Sequence, residues 1–150
     1  MKNIFFIITI AISLQTFGQS FSEYARKGAK YLDNGEYEKA IIEYDKAIKL
    51  NSEYNSAYAN RGIAKAKLND HIAAIKDFDK AIELKNSIKN TDETWLYWKG
   101  NTFYSRGLSK IKAGIIEEAI LDFQEAKKLK YEPNDCDRKI IECTELLEKK

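Results

Sequence analysis

The residues best suited to chemistry are few in this sequence of 150 residues. His71 is the only histidine, so a metal site that mixes histidine and cysteine ligands lacks a second imidazole. We expect His71 to pack or to face solvent at the start of a helix. Asp77, Asp79 and Glu83 fall on the predicted solvent side of a helix. Because no glycine-rich phosphate loop, serine-centred elbow or paired-carboxylate motif occurs, the sequence predicts a protein that is not an enzyme, with no cofactor and no metal.

The two cysteines are seven positions apart on one predicted helix. That spacing places the Cα atoms of Cys136 and Cys143 about 10.5 Å apart. A disulfide requires less than roughly 7 Å, so the two cannot bridge each other within an intact helix. We expect two buried free thiols. Pairing between two copies of the chain, in an oxidising compartment, is the alternative.

Charge and composition narrow the class of partner. The chain carries 25 basic and 23 acidic residues, and the two signs are interspersed along its length. We therefore expect no nucleic-acid surface, and near-neutrality favours apolar recognition of a partner. With 44% hydrophobic residues, the chain has enough apolar surface to fold.

The first segment has the three-part layout of a secretory signal peptide. Lys2 precedes an apolar run from Ile4 to Leu14, and Thr16-Phe17-Gly18 resembles a small-x-small cleavage site. The run spans only about 16 Å as a helix, against roughly 30 Å of bilayer hydrocarbon. We predict that residues 1–18 are removed, that the mature chain is exported to the periplasm or secreted, and that it has no stable membrane insertion.

The remainder of the chain repeats itself. Six pairs of like residues are each separated by 34 positions: Tyr24 and Tyr58, Gly28 and Gly62, Ala40 and Ala74, Tyr44 and Phe78, Ala47 and Ala81, Leu50 and Leu84. A third copy follows 45 positions after the second, at Phe103, Gly107, Ala119, Phe123, Ala126 and Leu129. Each copy predicts two antiparallel helices, with small residues at the close approach and aromatic rings between layers.

This pattern, aromatic-x3-Gly-x11-Ala-x3-aromatic-x2-Ala in 34 residues, resembles the tetratricopeptide repeat. Residues 37–41 (YEKAI) and 60–62 (NRG) are similar to typical members, whereas Lys65 and Lys110 depart from the first copy's Tyr31. Ser52 and Asn86 replace the proline that usually ends each repeat. The resemblance implies an all-α, right-handed α-solenoid of antiparallel helix pairs, with repeats at 21–54, 55–88 and 100–132.

Residues 133–150 read as a capping helix that begins near Pro133. One face is apolar and the other is charged, as a helix that covers the last repeat requires. The apolar stripe consists of Cys136, Ile140, Cys143 and Leu147.

The resemblance also implies a binding site. In the family, the first helices of successive repeats line a concave groove that binds a peptide or a helix of a partner protein. When the repeats are aligned by their register, the groove positions of the family correspond in this chain to Ser22, Ala25, Ala29, Leu32, Asp33, Ser56, Ala59, Ile63, Ala66, Lys67, Asn101, Tyr104, Leu108, Ile111 and Lys112. Asn60, Tyr97 and Trp98 are further candidate contacts.

Some family members clamp a terminal carboxylate with lysine, asparagine and arginine side chains in this groove. Asn60 matches one clamp position, but Ala25 and Ala29 replace the lysine and asparagine of the first repeat. Asn101 and Ser105 replace the basic residues of the third. We therefore expect binding by apolar burial and not by that clamp.

The insertion at about 89–99 is this chain's most individual feature. Eleven residues equal almost three helical turns, so they can lengthen the first helix of repeat three, with Asn90 and Glu93 capping its new start. Residues 95–98 (WLYW) would then project beyond the solenoid as binding anchors, with Tyr97 and Tyr104 on the groove side. In the alternative, these rings pack against a longer second helix of repeat two or against a lengthened loop.

Together these features predict an exported protein–protein interaction scaffold without enzymatic activity. The alternative is a structural subunit of an envelope-associated complex that assembles with copies of itself.

Overall fold

The computed structural model describes residues 21–86 and 92–149, which form seven α-helices and no strand. These are α1 (21–33), α2 (Tyr37–Leu50), α3 (Asn55–Lys67), α4 (His71–Asn86), α5 (Glu93–Lys112), α6 (Ile116–Lys128) and α7 (Pro133–Glu148). From α2 to α7, each helix packs against the next along the chain, and short connections reverse the direction between neighbours. The predicted all-α solenoid of three helix pairs and a terminal helix is confirmed.

The turn within each helix pair has one conserved geometry. Gly35, Asn69 and Gly114 occupy equivalent places, with φ of 76°, 63° and 78°. The amide of the next residue donates back into the preceding helix, as from Asp70 N to Lys65 O at 3.0 Å. Glycine adopts this left-handed backbone without steric cost, and asparagine is among the few other residues that tolerate it. The second pair therefore keeps the turn without a glycine.

The repeated glycines permit close packing within each pair. A Cβ atom on Gly28 or Gly62 would lie 2.9 Å from a ring carbon of Tyr44 or Phe78 respectively, closer than real Cβ atoms approach. Gly107 is as tightly packed, with Phe123 ring carbons at 3.0 Å. All three rings are fully buried. The repeating Gly and aromatic positions thus form the core of each pair.

Asp77 is not on a solvent-facing surface, so that sequence prediction is wrong. Its residue is only 5% exposed. The carboxylate accepts hydrogen bonds from Arg61 Nε at 2.8 Å and Nη2 at 2.6 Å, and it pairs with Lys65 Nζ at 2.8 Å. Arg61 Nη1 also donates to Asp45 of the preceding pair. Charge-assisted bidentate bonding compensates the desolvation of this carboxylate.

The same arrangement recurs between α5 and α6. Asp122 is 3% exposed and accepts from Arg106 Nε at 2.9 Å and Nη2 at 2.5 Å, while Lys110 Nζ lies 3.1 Å away. Arg106 Nη1 donates to Asp79 of the preceding pair at 2.6 Å. Asp79 itself is exposed, as predicted. Lys65 and Lys110 therefore depart from the first repeat because each pairs with a buried carboxylate.

The insertion lengthens α5 to 20 residues, compared with 13 for α3, as the sequence predicts. The predicted start is wrong in detail. The helix begins at Glu93, and its cap is Asp92, whose Oδ1 accepts from the Trp95 amide at 2.7 Å. Asn90 lies outside the described residues.

Helix α7 closes the last pair as a cap. Pro133 is its first residue, and Cys136 and Cys143 are fully buried free thiols, as expected. Ile140 and Leu147 pack against the same cluster. Burial raises the pKa of both thiols.

The predicted signal peptide, residues 1–18, lies outside the described residues. Among residues 21–86 and 92–149, no helix has the length and apolar content that a bilayer crossing requires.

Candidate functional site

A groove of about 600 Å³, which we call the main groove, lies between α3, α5 and α7. Its lining comprises Ile63, Ala66, Lys67, Asn69, His71, Phe78, Asn101, Ser105, Leu108, Ser109, Ile111, Lys112, Lys139 and Glu142. The lining residues of α5 recur every three or four positions, which places them on one face of that helix.

The floor of the main groove is apolar and its α5 wall is partly polar. Ile63, Leu108 and Ile111 are half-buried, so part of each remains accessible. The polar side chains of α5 are held within the helix, since Ser109 Oγ donates to the carbonyl of Ser105 at 3.1 Å. Aliphatic contact areas are thus available without displacing a charged group.

The other wall comes from the capping helix. Lys139 and Glu142 of α7 line the main groove and form an ion pair at 2.7 Å. Sequence reasoning assigned α7 only a covering role, and it missed these two residues together with Asn69 and His71. The signal was available, because Lys139 and Glu142 lie beside the stripe of buried residues on the same helix.

His71 is the first residue of α4 and is half-buried at the margin of the main groove. Its Nδ1 atom is buried and has no hydrogen-bond partner among the described residues. Among residues 21–86 and 92–149, no cluster of three histidine, cysteine or acidic side chains is arranged to hold a metal ion. The imidazole therefore adds a polar group to the groove margin.

A smaller cavity of about 200 Å³, here the side pocket, lies between α1 and α3. Its walls are Ser22, Ala25, Arg26, Ala29, Tyr44, Tyr54, Ser56, Ala57 and Asn60. Burial raises the pKa of Tyr44 to about 12, and its buried hydroxyl has no hydrogen-bond partner among the described residues. The phenol therefore stays neutral at physiological pH, and Tyr44 forms part of the pocket wall while remaining fully buried.

Some of the predicted binding residues line the main groove, others line the side pocket, and the rest line neither. Ile63, Asn101 and Leu108 line the main groove. Ala25, Ala29 and Asn60 line the side pocket. Ala59 lines neither cavity and is 3% exposed, because it packs in the interior.

Tyr97 and Tyr104 do not face the main groove, so that part of the prediction is wrong. Their rings lie 5.0 Å and 5.5 Å from the Tyr131 ring, in the turn between α6 and α7. Tyr104 also contacts Phe123 at 5.5 Å, and its hydroxyl donates to Asp135. The first turn of α7 covers this face of α5, which the repeat register alone does not reveal.

The tryptophan window also lies outside both cavities. Trp98 is half-buried, and its carbonyl accepts a hydrogen bond from Thr102 at 2.9 Å. Trp95 is half-buried beneath Lys99, whose Nζ is 4.8 Å from the ring centroid. Tyr97, which is 59% exposed, borders a separate cavity of about 300 Å³ on the lengthened part of α5. Any contact made by this window would be separate from the main groove.

Comparison with known protein families agrees with the repeat found in the sequence. A family model described as a TPR repeat matches residues 28–69, and one described as a tetratricopeptide repeat matches residues 56–88. No curated protein matches the chain significantly.

Solved structures share the fold over most of the chain. The first TPR of Spaghetti (RPAP3), bound to the HSP90 peptide SRMEEVD, is 24% identical with a TM-score of 0.72, covering 86% of this chain and 94% of its own. The TPR2B domain of yeast Sti1, in a pHsp70 complex, is 20% identical with a TM-score of 0.71, covering 85% and 98%. The second TPR domain of human RPAP3, with the HSP70 peptide SGPTIEEVD, is 24% identical with a TM-score of 0.67, covering 87% and 97%.

Proposed function

Since this chain is a tetratricopeptide repeat protein, we propose that it is a non-enzymatic interaction scaffold that binds a peptide or helix of a partner protein in its main groove. The observation that carries the proposal is the main groove itself, which is about 600 Å³ in volume and floored by half-buried aliphatic side chains. Apolar surface that is removed from water on binding contributes about 25 cal/mol per Å² before the costs of association.

The structural relatives support this mode of action. The solved domains of Spaghetti (RPAP3), yeast Sti1 and human RPAP3 are complexes with HSP90 or HSP70 or peptides from them. In this chain Ala25 and Ala29 line the side pocket with methyl groups only. Asn101 and Ser105 supply neutral side chains to the main groove. Recognition here depends on apolar burial in the groove, with a partner that differs from those chaperone tails.

The proposed site of action is outside the cytosol. The layout of residues 1–18 supports cleavage after Gly18, and export would then place the groove among envelope or secreted proteins. Intact-mass measurement of chain recovered from the producing cells tests this directly. A mature terminus at Gln19 or Ser20 in the envelope or medium agrees with export, whereas an intact Met1 terminus in the cytosol contradicts it.

Site-specific photo-crosslinking tests the proposed groove contact. A photoreactive amino acid replaces Asn101 in the main groove, and the matched control replaces Leu121, which is 59% exposed on α6 and lines no described cavity. In the producing cells, the groove variant is expected to crosslink one defined partner protein that the control does not. Equal products at both positions contradict groove binding, and a homodimeric product from the groove variant favours self-assembly.

A further inference from the structure

The lengthened part of α5 borders the cavity of about 300 Å³ mentioned above, here called the extension cavity. One wall comes from the first turns of α5, with Glu93, Leu96 and Tyr97. The other comes from the end of α6 and the turn after it, with residues 128–130 (KLK). Tyr97 is 59% exposed, and Leu96 and Leu129 are half-buried. The insertion therefore creates a partly exposed apolar surface outside the main groove.

The turn between α6 and α7 holds this surface in a fixed shape. The ring of Tyr131 lies 5.0 Å from the ring of Tyr97. A Cβ atom on Gly100 would lie 2.4 Å from the Cβ atom of Tyr131, so only glycine permits this close packing of the turn on α5. In the same turn, Lys130 and Glu132 have φ of 59° and 39°, a left-handed backbone that residues other than glycine rarely adopt. A surface that is ordered in advance loses less conformational entropy when a partner covers it.

The two walls of the extension cavity carry opposite charges that do not pair with each other. Glu93 on the α5 wall and Lys130 on the α6 wall are exposed, and neither forms an ion pair within residues 21–86 and 92–149. Lys128, in contrast, is already paired with Glu125. The N-terminus of α5 offsets roughly half of the Glu93 charge, and the C-terminus of α6 offsets roughly half of the Lys130 charge. Each wall thus keeps its own sign.

A surface with an acidic wall, a basic wall and apolar residues between them is complementary to a copy of itself turned by 180°. A two-fold axis through the mouth of the extension cavity sets the acidic wall of each chain opposite the basic wall of the other. The contact between Glu93 of one copy and Lys130 of the other is then made twice. The same rotation brings the exposed rings of Tyr97 together, and tyrosine is enriched at protein interfaces and at binding hot spots.

We propose that the extension cavity is a self-association surface through which two copies of this chain form a symmetric dimer. Two reciprocal ion pairs flank a centre that consists of Leu96, Tyr97 and Leu129 from both copies. An interface of this extent belongs to the weak, transient class, so we expect a dissociation constant on the order of 10 µM.

The dimer goes beyond the proposed function and does not depend on it. No residue of the extension cavity lines the main groove or the side pocket. Each dimer therefore carries two main grooves, and a partner with two binding segments would be bound more tightly by the pair than by a single chain.

Sedimentation velocity over a concentration series tests the inference on the purified chain, with the N-terminus that the producing cells give it. The parent is expected to change from monomer to dimer between about 1 and 100 µM. Glu93→Lys makes both walls basic and Lys130→Glu makes both walls acidic, so each variant alone is expected to dimerise at least tenfold more weakly. An equimolar mixture of the two variants should restore the dimer, because each acidic wall then faces a basic wall.

Two matched controls separate this effect from a general response to charge. Glu117→Lys reverses an exposed acid in the first turn of α6, as Glu93→Lys does in the first turn of α5. Lys49→Glu reverses an exposed lysine of α2. Neither control residue lines a described cavity, so both variants are expected to dimerise like the parent. Circular dichroism should show the helical signal of the parent in all four variants.

Photo-crosslinking identifies the contact itself. A photoreactive phenylalanine derivative replaces Tyr97, and it is expected to give a homodimer in which the label is joined to residues 128–131 of the second copy.

Four results would overturn the inference. The first is a chain that remains monomeric up to about 0.5 mM. The second is a dimer that the Glu93 and Lys130 variants leave unchanged, and the third is a mixture of these variants that does not restore the dimer. The fourth is a crosslink from the Tyr97 position to a different protein, or to another segment of the same chain, without any homodimer.

Discussion

Replacing Asp122 with alanine should strongly destabilise the fold, because it removes the buried carboxylate that Arg106 and Lys110 share. Arg106 makes two hydrogen bonds to this carboxylate, and Lys110 Nζ lies 3.1 Å from it. Breaking a buried ion pair by removing one partner costs about 3–5 kcal/mol. In the variant, Arg106 keeps its ion pair with Asp79 and Lys110 keeps its ion pair with Glu118, and both of these carboxylates are exposed. The lower end of the energy range therefore applies. We expect a loss of about 3 kcal/mol in the free energy of unfolding.

Urea unfolding followed by circular dichroism at 222 nm measures this loss. With a denaturant slope near 2 kcal/mol/M, the midpoint should fall by about 1.5 M. Glu118→Ala is the matched control, since Glu118 pairs with the same lysine but its side chain is 62% exposed. The control should lose under about 1 kcal/mol, as surface ion pairs do. If D122A does not fold, Asp122→Asn keeps the volume and should still lose more than the control. Equal small losses for Asp122 and Glu118 variants would refute a stabilising role for the buried network.

Three further predictions concern single sites. Asn69→Gly should raise the free energy of unfolding by about 0.5 kcal/mol, because glycine relieves the strain of φ 63°; an unchanged or lower urea midpoint would count against this. Burial raises the pKa of Tyr44 in the folded chain to about 12. The neutral phenol therefore contributes fully to the free energy of unfolding below the ordinary pKa near 10, and this contribution is lost as the pH rises toward 12. Tyr44→Phe should flatten the fall in stability over that interval, and an unaltered slope would refute the assignment. Cys136 and Cys143 should react with a thiol reagent at least a hundredfold more slowly in the native chain than in urea, and rapid native labelling would show that α7 is not docked as described.

The parts of the fold that depend on local repetition could be predicted from the sequence. The spacing of Gly28, Gly62 and Gly107 indicated the close approach of paired helices, and the structure seats an aromatic ring on each glycine. The longer α5 was also predicted correctly, because an insertion of eleven residues is close to three helical turns and leaves the following residues on the same faces of the helix. Repetition succeeds here because each contact lies within one pair or between neighbours.

The buried ion network required more than hydrophobic periodicity. Asp77 and Asp122 lie on helices whose charged residues otherwise face solvent, so a pattern of apolar and polar residues assigns them outward. A signal was nevertheless present, since both aspartates follow an arginine by 16 positions, at Arg61 and Arg106. Paired opposite charges that recur with the repeat are evidence of an interior contact between helices.

The candidate site was predicted in part, for a related reason. Positions within α3 and α5 that repeat the register line the main groove, as Ile63 and Leu108 do. Tyr97 and Tyr104 were misassigned because Tyr131, in the turn before α7, and Asp135, in the first turn of α7, contact that face. Contacts made by a non-repeating element cannot be read from repetition.

Amide chemical-shift mapping during titration with a peptide from the photo-crosslinked partner protein tests the central claim most directly. Uniformly ¹⁵N-labelled chain is titrated, and perturbations are mapped onto the helices. The largest shifts are expected at Ile63, Leu108 and Lys139, on the three helices that form the main groove. Shifts concentrated at the Trp95–Trp98 window, or around Leu121 on α6, would contradict binding in the groove.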